Sequence, residues 1–275
     1  MNLNKSNEII LEFSRLIKEK KCNPYKDSNK LKVGVDLGTA NIVLSVVDEN
    51  NKPIAGATMP SSVVRDGIVV DYIGAVHAVR KLKDEVEKIL NTTLKHASTA
   101  IPPGITKGNI KVITNVVESA DFIVTNVVDE PSAAATVLGI TDGAVVDVGG
   151  GTTGISILND NKVVFTADEP TGGTHMTLVV AGFNNISFED AEIMKKNIKI
   201  EKDIFKIVKP VVEKMASIVK KYIDGYNIDT IYVVGGACYF SEFENVFKKE
   251  INIKTIKPIE PLLVTPLGIA MNCSI

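Results

Sequence analysis

The chain has 275 residues, of which 45% are hydrophobic and 23% charged, and its net charge is -2 at pH 7. This profile is typical of a folded protein with one large or two ordinary domains, and it gives no reason to expect nucleic acid or an anionic membrane as a partner. No apolar run approaches the roughly 20 residues of a membrane helix. The cysteines, Cys22, Cys238 and Cys273, lack metal-ligand spacing, so we expect reduced thiols in a cytoplasmic protein.

An amphipathic helix is predicted within residues 5–19, where apolar residues recur at helical spacing between charged ones. Those apolar residues are Ile9, Ile10, Phe13, Leu16 and Ile17. Residues 20–30 are polar and contain Pro24, which predicts a linker. Two interpretations stay open: the helix packs on its own domain, or it is a tethered docking helix for a partner.

The rest of the first half predicts short strands followed by alternating helices and strands. Strands and turns fill 31–70, with turns at 48–53 and 65–67; then come a helix over 73–90, a strand over 97–101, a helix over 107–120, a strand over 122–128 and a helix from near Pro131.

The second half predicts the same order again. Strands are expected over 143–148, 154–158 and 162–167, helices over 173–181, 187–196 and 201–222, a strand over 230–234, and helices over 241–250 and from near Pro266. A repeated β-β-β-α-β-α unit with parallel strands needs helices on both sheet faces, so the class is α/β. A ligand is expected between the halves.

One short pattern occurs in both halves: residues 33–41 and residues 145–153 each contain an apolar run, an aspartate, then glycine and threonine. Each predicts a strand, a tight turn and a returning strand. Glycine lets the backbone approach a ligand, and turn N–H groups form an anion cradle. Two such turns facing each other would clamp a polyphosphate, while Asp36 and Asp147 would hold a divalent cation through water.

Three further segments carry small residues at element boundaries: 128–135, 233–237 and 266–270. With the two turns, in this order, they resemble the actin, DnaK-type chaperone and sugar-kinase superfamily of ATP-binding proteins. Within it, residues 64–72 and the short length resemble the ethanolamine-utilisation EutJ family. That family is described as chaperone-like and belongs to a bacterial microcompartment pathway for ethanolamine breakdown.

The resemblance implies an actin-like (ribonuclease H-like) two-domain α/β fold with a central nucleotide cleft. Domain I would comprise 31–140 plus 265–275, and domain II 141–264 with a small helical subdomain at about 174–226, leaving 1–30 as helix and linker.

The resemblance also implies ATP or ADP with Mg²⁺ as ligands. Asp36 and Asp147 would orient the metal, and Glu130 would position or activate the attacking water, which makes these three the catalytic candidates. The implied nucleotide-binding residues are Gly38, Thr39, Ala40, Asn41, Gly149, Gly150, Gly151, Thr152, Thr153, Gly172, Gly173, Glu192, Lys195, Gly235, Gly236, Ala237 and Tyr239. Glu192 and Lys195 have a solvated helix face as their alternative, Tyr239 has packing rather than base stacking, and His175 is a further pocket candidate.

Two departures weaken the expectation of turnover. Gly154 stands where relatives commonly have an aspartate, and no lysine within about 50–100 can be assigned to the catalytic role that DnaK-type chaperones give one. We therefore expect nucleotide binding with at most slow Mg-dependent ATP hydrolysis. No peptide-binding domain follows the second connecting helix, so client binding as in a complete DnaK-type chaperone is not expected.

The expected function is a nucleotide-dependent switch or assembly factor linked to microcompartments, with a shell or pathway enzyme as the partner of residues 5–19. The alternative is an ATP-dependent polymerising filament or scaffold. A metabolic kinase or phosphatase would need larger insertions than this chain has.

Overall fold

The computed structural model describes residues 3–275 and contains two five-stranded sheets with the same strand order. The strands are β1 (Lys32–Leu37), β2 (Asn41–Val47), β3 (Pro53–Pro60), β4 (Val64–Arg65), β5 (Ile68–Val69), β6 (His96–Ile101), β7 (Ile123–Asp129), β8 (Gly143–Val148), β9 (Thr153–Asn159), β10 (Lys162–Glu169), β11 (Thr230–Val234) and β12 (Lys254–Ile256). The helices are α1 (Leu3–Glu19), α2 (Tyr72–Leu90), α3 (Lys107–Ser119), α4 (Glu130–Leu138), α5 (Gly173–Asn184), α6 (Phe188–Lys195), α7 (Glu201–Ile223), α8 (Phe243–Ile251) and α9 (Val264–Met271).

The two sheets have orders β3-β2-β1-β6-β7 and β10-β9-β8-β11-β12. In each, the first three strands are antiparallel neighbours and the last two run parallel to the central strand. The predicted α/β class and the duplicated unit are confirmed, and each unit continues with one more parallel strand and helix. The sequence analysis missed β12, because its three residues are too short to show a period.

Capping residues set the helix boundaries. Asp71 accepts a hydrogen bond from Gly74 N, and Asp129 accepts one from Ser132 N, at 2.9 and 3.0 Å. Each side chain satisfies an N–H that has no partner within its helix, so α2 and α4 each begin at the next residue. At the other ends, Asn91 and Gly139 adopt left-handed conformations that stop the helix.

Helix α1 packs on its own molecule, as the first of the two interpretations predicted. Ile10, Phe13 and Leu16 are at most 1% exposed. Phe13 fills the space above Gly56 of β3, where a Cβ would sit only 2.4 Å from the ring. The second interpretation, a tethered docking helix, is therefore wrong about the apolar face of α1, because that face is buried.

The segment after α1 is also held in place rather than being a free linker. The Asn23 side chain is buried and donates hydrogen bonds to Glu12 Oε1 and to Pro53 O, at 2.7 and 2.8 Å. The Tyr25 hydroxyl donates to Leu90 O at 2.7 Å. These contacts attach residues 20–30 to β3 and α2, so the polar composition marks a surface segment with fixed anchors.

Helices α4 and α9 cross closely between the two sheets. A Cβ on Gly268 of α9 would lie 1.9 Å from Ala133 O of α4. On the other side of α9, a Cβ on Gly34 of β1 would lie 2.4 Å from Ala270 N. The crossing therefore depends on the small residues that the sequence analysis singled out. Residues from both sheets share the apolar cluster around the crossing, which makes this the place where the halves are joined. None of the helices in residues 3–275 is long and apolar enough to cross a membrane.

Candidate functional site

A cleft of 1110 Å³ opens between the two sheets, and the two glycine turns form its floor. The turns follow β1 and β8, the central strands of their sheets. A Cβ on Gly150 would lie 3.2 Å from the Cβ atoms of both Thr39 and Ala40. The turns therefore face each other at contact distance, as a two-sided clamp requires.

The second turn is held by the start of α5. Gly149 N donates to Thr152 O within the turn, at 2.9 Å, while Gly149 O and Gly150 O accept from Gly173 N and Thr174 N at 3.0 and 2.7 Å. The turn carbonyls thus point toward α5. Helix α5 fixes the shape of the loop by binding these two carbonyls. The hydrogen bonds to α5 do not use the N–H groups of the loop.

Three carboxylates converge beside the turns. Burial, and then the charge of Asp147, raise the pKa of Asp36 to about 7. Burial raises the pKa of Asp147 to about 6, against the opposing effect of a hydrogen bond from the Thr265 hydroxyl at 2.5 Å. Burial, followed by the charges of Asp147 and Asp36, raises the pKa of Glu130 well above its ordinary value. These carboxylates raise one another's pKa values, so a cation bound beside them would favour their ionised forms.

The donor set fits a magnesium ion held through water. Carboxylate oxygens are the ligands that Mg²⁺ prefers, and Mg²⁺ usually keeps several of its waters. Within residues 3–275 no three acidic, histidine or cysteine side chains are grouped closely enough to hold an ion directly. Asp36 and Asp147 therefore suit a hydrated ion that also contacts phosphate oxygens.

Asp168 is a fourth carboxylate, and the sequence analysis missed it. It pairs with Gly154 on β9, which in turn pairs with Asp147 on β8, so all three lie on one face of the sheet. Burial raises its pKa to about 6, opposed by a hydrogen bond from Thr152 and supported by the charge of Asp147. The pairing register, which the sequence pattern does not show, places Asp168 opposite Gly154, although Asp168 does not itself line the cleft.

The part of the cleft wall beside Asp147 is built around Gly235, whose φ is +93°. A Cβ there would lie 2.3 Å from Asp147 Oδ1, so the position has no space for a side chain. Gly235 N donates to Pro261 O at 3.0 Å, which joins the loop to the short helical turn Pro261–Leu263. Gly235 and Gly236 both line the cleft, and because neither has a side chain, their backbone atoms form this part of the wall.

Helix α6 contributes an ordered ion pair. Lys195 Nζ lies 2.6 Å from Glu192 Oε2 and donates to Gly173 O at 3.0 Å. Burial of Glu192 opposes its ionisation, but the charge of Lys195 and hydrogen bonds from Lys195, Thr177 and Lys196 lower its pKa to about 2. The alternative of a solvated helix face does not describe Lys195, which is 6% exposed.

Tyr239 has the packing role that was one of its two interpretations. Its hydroxyl donates to Lys195 O, and its ring stacks on Phe240 with 4.2 Å between centroids. The residue still lines the cleft, as does exposed His175, whose Nδ1 accepts from Gly172 N at 3.3 Å. Phe240 occupies one face of the Tyr239 ring, which leaves only the other for a base.

Two of the predicted nucleotide-binding residues do not line the cleft. Thr153 is 1% exposed and its hydroxyl donates to Thr171 O at 2.6 Å. Gly172 lies behind the second turn, where a Cβ would be 2.7 Å from Gly149 O. Both support the turn from within, because the β-strand alternation directs Thr153 away from the ligand side. All the other predicted site residues line the cleft.

Comparison with known proteins supplies the family. Residues 71–178 match the Hsp70 protein family, and residues 141–263 match the family of the Type IV pilus assembly protein PilM. Over 252 residues the chain is 42% identical to the ethanolamine utilization protein EutJ of Salmonella typhimurium, covering 90% of this chain and 88% of that protein.

The crystal structure of the ethanolamine utilization protein EutJ from Carboxydothermus hydrogenoformans has a TM-score of 0.93 and 48% identity, and the match covers 98% of this chain and 99% of that one. MreB 5 of Spiroplasma citri bound to AMPPNP has a TM-score of 0.71 at 16% identity, with 89% of this chain and 96% of that one covered, which is a likeness of fold. The expected actin-like two-domain fold is confirmed, and the chain belongs to the EutJ family of ethanolamine-utilisation proteins.

Proposed function

We propose that this protein binds Mg-ATP and Mg-ADP in the cleft and acts as a nucleotide-dependent switch or assembly factor of ethanolamine utilisation, linked to microcompartments. The observation that carries the proposal is the pair of glycine turns in contact across the cleft, with Asp36 and Asp147 at their bases. The relatives' names supply the ethanolamine pathway, and the neighbour MreB 5 was bound to a nucleotide.

The turns would bind phosphates through backbone N–H groups, and Gly235 and Gly236 would receive the adenosine. Magnesium would neutralise phosphate charge and let Asp36 and Asp147 ionise beside it. The Glu192–Lys195 pair stands on the wall next to Gly173, where it would define the ribose and adenine end of the cleft. Tyr239, fixed by Lys195 O, completes that end.

Hydrolysis would need a water placed by Glu130. As the water oxygen bonds to the γ-phosphorus, the bond from that phosphorus to the β–γ bridging oxygen breaks, and the water proton passes to the Glu130 carboxylate. Glu130 begins α4, whose other residues pack in the crossing with α9. We propose slow turnover, because Gly154 supplies no carboxylate at the position where the family resemblance implies an aspartate.

The switch would be closure of the two halves about the α4–α9 crossing. Helix α1 contacts both sides of this joint, since the Ser6 hydroxyl donates to Val137 O and Asn7 Oδ1 accepts from Ile259 N, each at 3.0 Å. A microcompartment shell or pathway enzyme bound by residues 5–19 would have to use the outward face of α1, which includes Leu11 with 46% exposure.

Isothermal calorimetry tests the first step. Mg-ATP and Mg-ADP should each bind at one site per chain, and EDTA should weaken both, since the carboxylates repel phosphates without a cation. AMP serves as the control ligand, because it lacks the phosphates that the turns would hold. Absence of heat for both Mg-nucleotides, with a folded protein confirmed by circular dichroism, would refute the proposal.

A further inference from the structure

The hairpin of β4 and β5 projects one arginine at a fixed position on the cleft rim. Val64 pairs with Val69 and Arg65 with Ile68, so the loop has two residues, Asp66 and Gly67. Their φ angles are +50° and +73°, the values of a type I′ turn, which matches the twist of the flanking strands. The geometry of the turn therefore sets the backbone of Arg65.

The hairpin tip is clamped between the two halves. A Cβ on Gly67 would lie 2.7 Å from Pro102 Cγ, and a Cβ on Gly151 would lie 2.5 Å from Asp66 Oδ1 and 3.0 Å from Asp66 N. The tip thus rests against the second glycine turn on one side and against residue 102 on the other. Arg65, next to this contact, lines the cleft from the side of the first sheet.

Among the described residues that line the cleft, Arg65 is the one lysine or arginine without an ion pair. Lys195 and Lys196 line the α6 end, and both pair with Glu192, at 2.6 and 3.0 Å. Within residues 3–275, the side chain of Arg65 is exposed and has no ion pair or side-chain hydrogen bond. The floor beside it carries the carboxylates of Asp36, Glu130 and Asp147.

We propose that Arg65 binds the terminal phosphate of ATP, and that it supplies the positive charge for which no lysine could be assigned. The inference rests on the proposed nucleotide function and deepens it by naming the group that distinguishes ATP from ADP. A guanidinium donates two parallel hydrogen bonds to phosphate oxygens and stays charged at all relevant pH values. A phosphate beside several carboxylates needs such a partner in addition to Mg²⁺.

Calorimetry of Arg65→Ala tests this assignment. We expect Mg-ATP affinity to fall about 10-fold to 100-fold, the range for losing a charge-assisted contact, while Mg-ADP affinity changes by less than about 3-fold. Arg65→Lys should recover part of the loss, because lysine keeps the charge but not the paired donors. The matched control is Arg80→Ala, since Arg80 lies outside the cleft and pairs with Asp121.

The outcomes separate this inference from the function on which it rests. If wild type binds Mg-ATP and Arg65→Ala binds it equally well, the assignment is overturned while the nucleotide site stands. Equal losses for Mg-ATP and Mg-ADP would also overturn it, because the γ-phosphate would not be the contact. If wild type binds neither nucleotide, both proposals fail. Unfolding curves of the free variants should match wild type, because Arg65 is exposed.

Discussion

Glu130 is the residue whose role in turnover can be isolated most cleanly. Glu130→Ala should slow single-turnover phosphate release about 10²-fold to 10⁴-fold, the usual contribution of a general base. Mg-ATP affinity should stay the same or improve, because one carboxylate is removed from a cleft where Asp147 and Asp36 already oppose its ionisation. Exposed Glu118 on α3 provides the control, Glu118→Ala. An unchanged release rate in Glu130→Ala would show that another group handles the proton.

The raised pKa of Asp36 predicts the direction in which the stability of the folded protein changes with pH. The folded protein keeps this carboxyl protonated up to about pH 7, whereas in the unfolded chain it titrates near 3.8. Between those values the folded state binds more protons, so its stability decreases as pH rises and levels off above pH 7. Asp36→Asn should therefore raise Tm over wild type by clearly more at pH 8 than at pH 5, in EDTA and without nucleotide.

Thermal unfolding followed by circular dichroism at the two pH values measures this effect. Asp71→Asn is a suitable control, because Asp71 is exposed and caps α2 outside the cleft. A Tm difference of equal size at pH 5 and pH 8 would mean that Asp36 ionises as readily in the folded protein as in the unfolded chain.

Individual site residues were predictable where a local motif carried them. The residues of the two glycine turns could be predicted, because the residue types that form a tight turn are consecutive in the sequence. Asp168 and Arg65 could not, because strand pairing positions each of them: Asp168 by its register with Gly154, and Arg65 by a hairpin whose tip contacts Gly151. Thr153 was misassigned since the motif does not show which side chains alternate inward.

Among the elements, α1 makes a contribution to stability that can be measured directly. Phe13→Ala should destabilise the protein by about 3–5 kcal/mol, because the ring is fully buried over Gly56 and its removal leaves a cavity. Leu11→Ala, on the exposed face of the same helix, should change stability by no more than about 0.5 kcal/mol. Urea unfolding of the two variants compares them. Similar midpoints would mean that α1 is not docked in solution.

The α4–α9 crossing can be tested with a pair of glycines. Gly268→Ala should destabilise by at least about 1–3 kcal/mol, because the methyl group would lie 1.9 Å from the backbone oxygen of Ala133. Gly182→Ala on α5 should stabilise by roughly 0.5–1 kcal/mol, since nothing lies within 4 Å of its Cβ position and alanine favours the helix. Equal effects in urea unfolding would argue against a tight crossing.

Most elements were predictable from periodicity, and the remaining differences have two separate causes. The helix over 73–90 differs from α2 by one residue, because Asp71 caps the helix one position earlier than the apolar pattern begins. The amphipathic pattern of α1 gave its helix but not its partner, since an apolar stripe is the same whether it faces its own sheet or another protein. The Phe13–Gly56 contact decides that question, and it is long-range.

For the whole molecule, the proposed switch predicts that Mg-ATP makes the protein more compact. Small-angle X-ray scattering should show a smaller radius of gyration with Mg-ATP than without nucleotide, as the halves close about the α4–α9 crossing. Gly150→Ala should reduce the change, because its methyl group would press on Thr39 and Ala40 at 3.2 Å and hold the turns apart. Zero-angle scattering measures mass in the same experiment. A mass that grows with Mg-ATP would favour the filament alternative, whereas calorimetric binding with an unchanged radius and mass would refute closure.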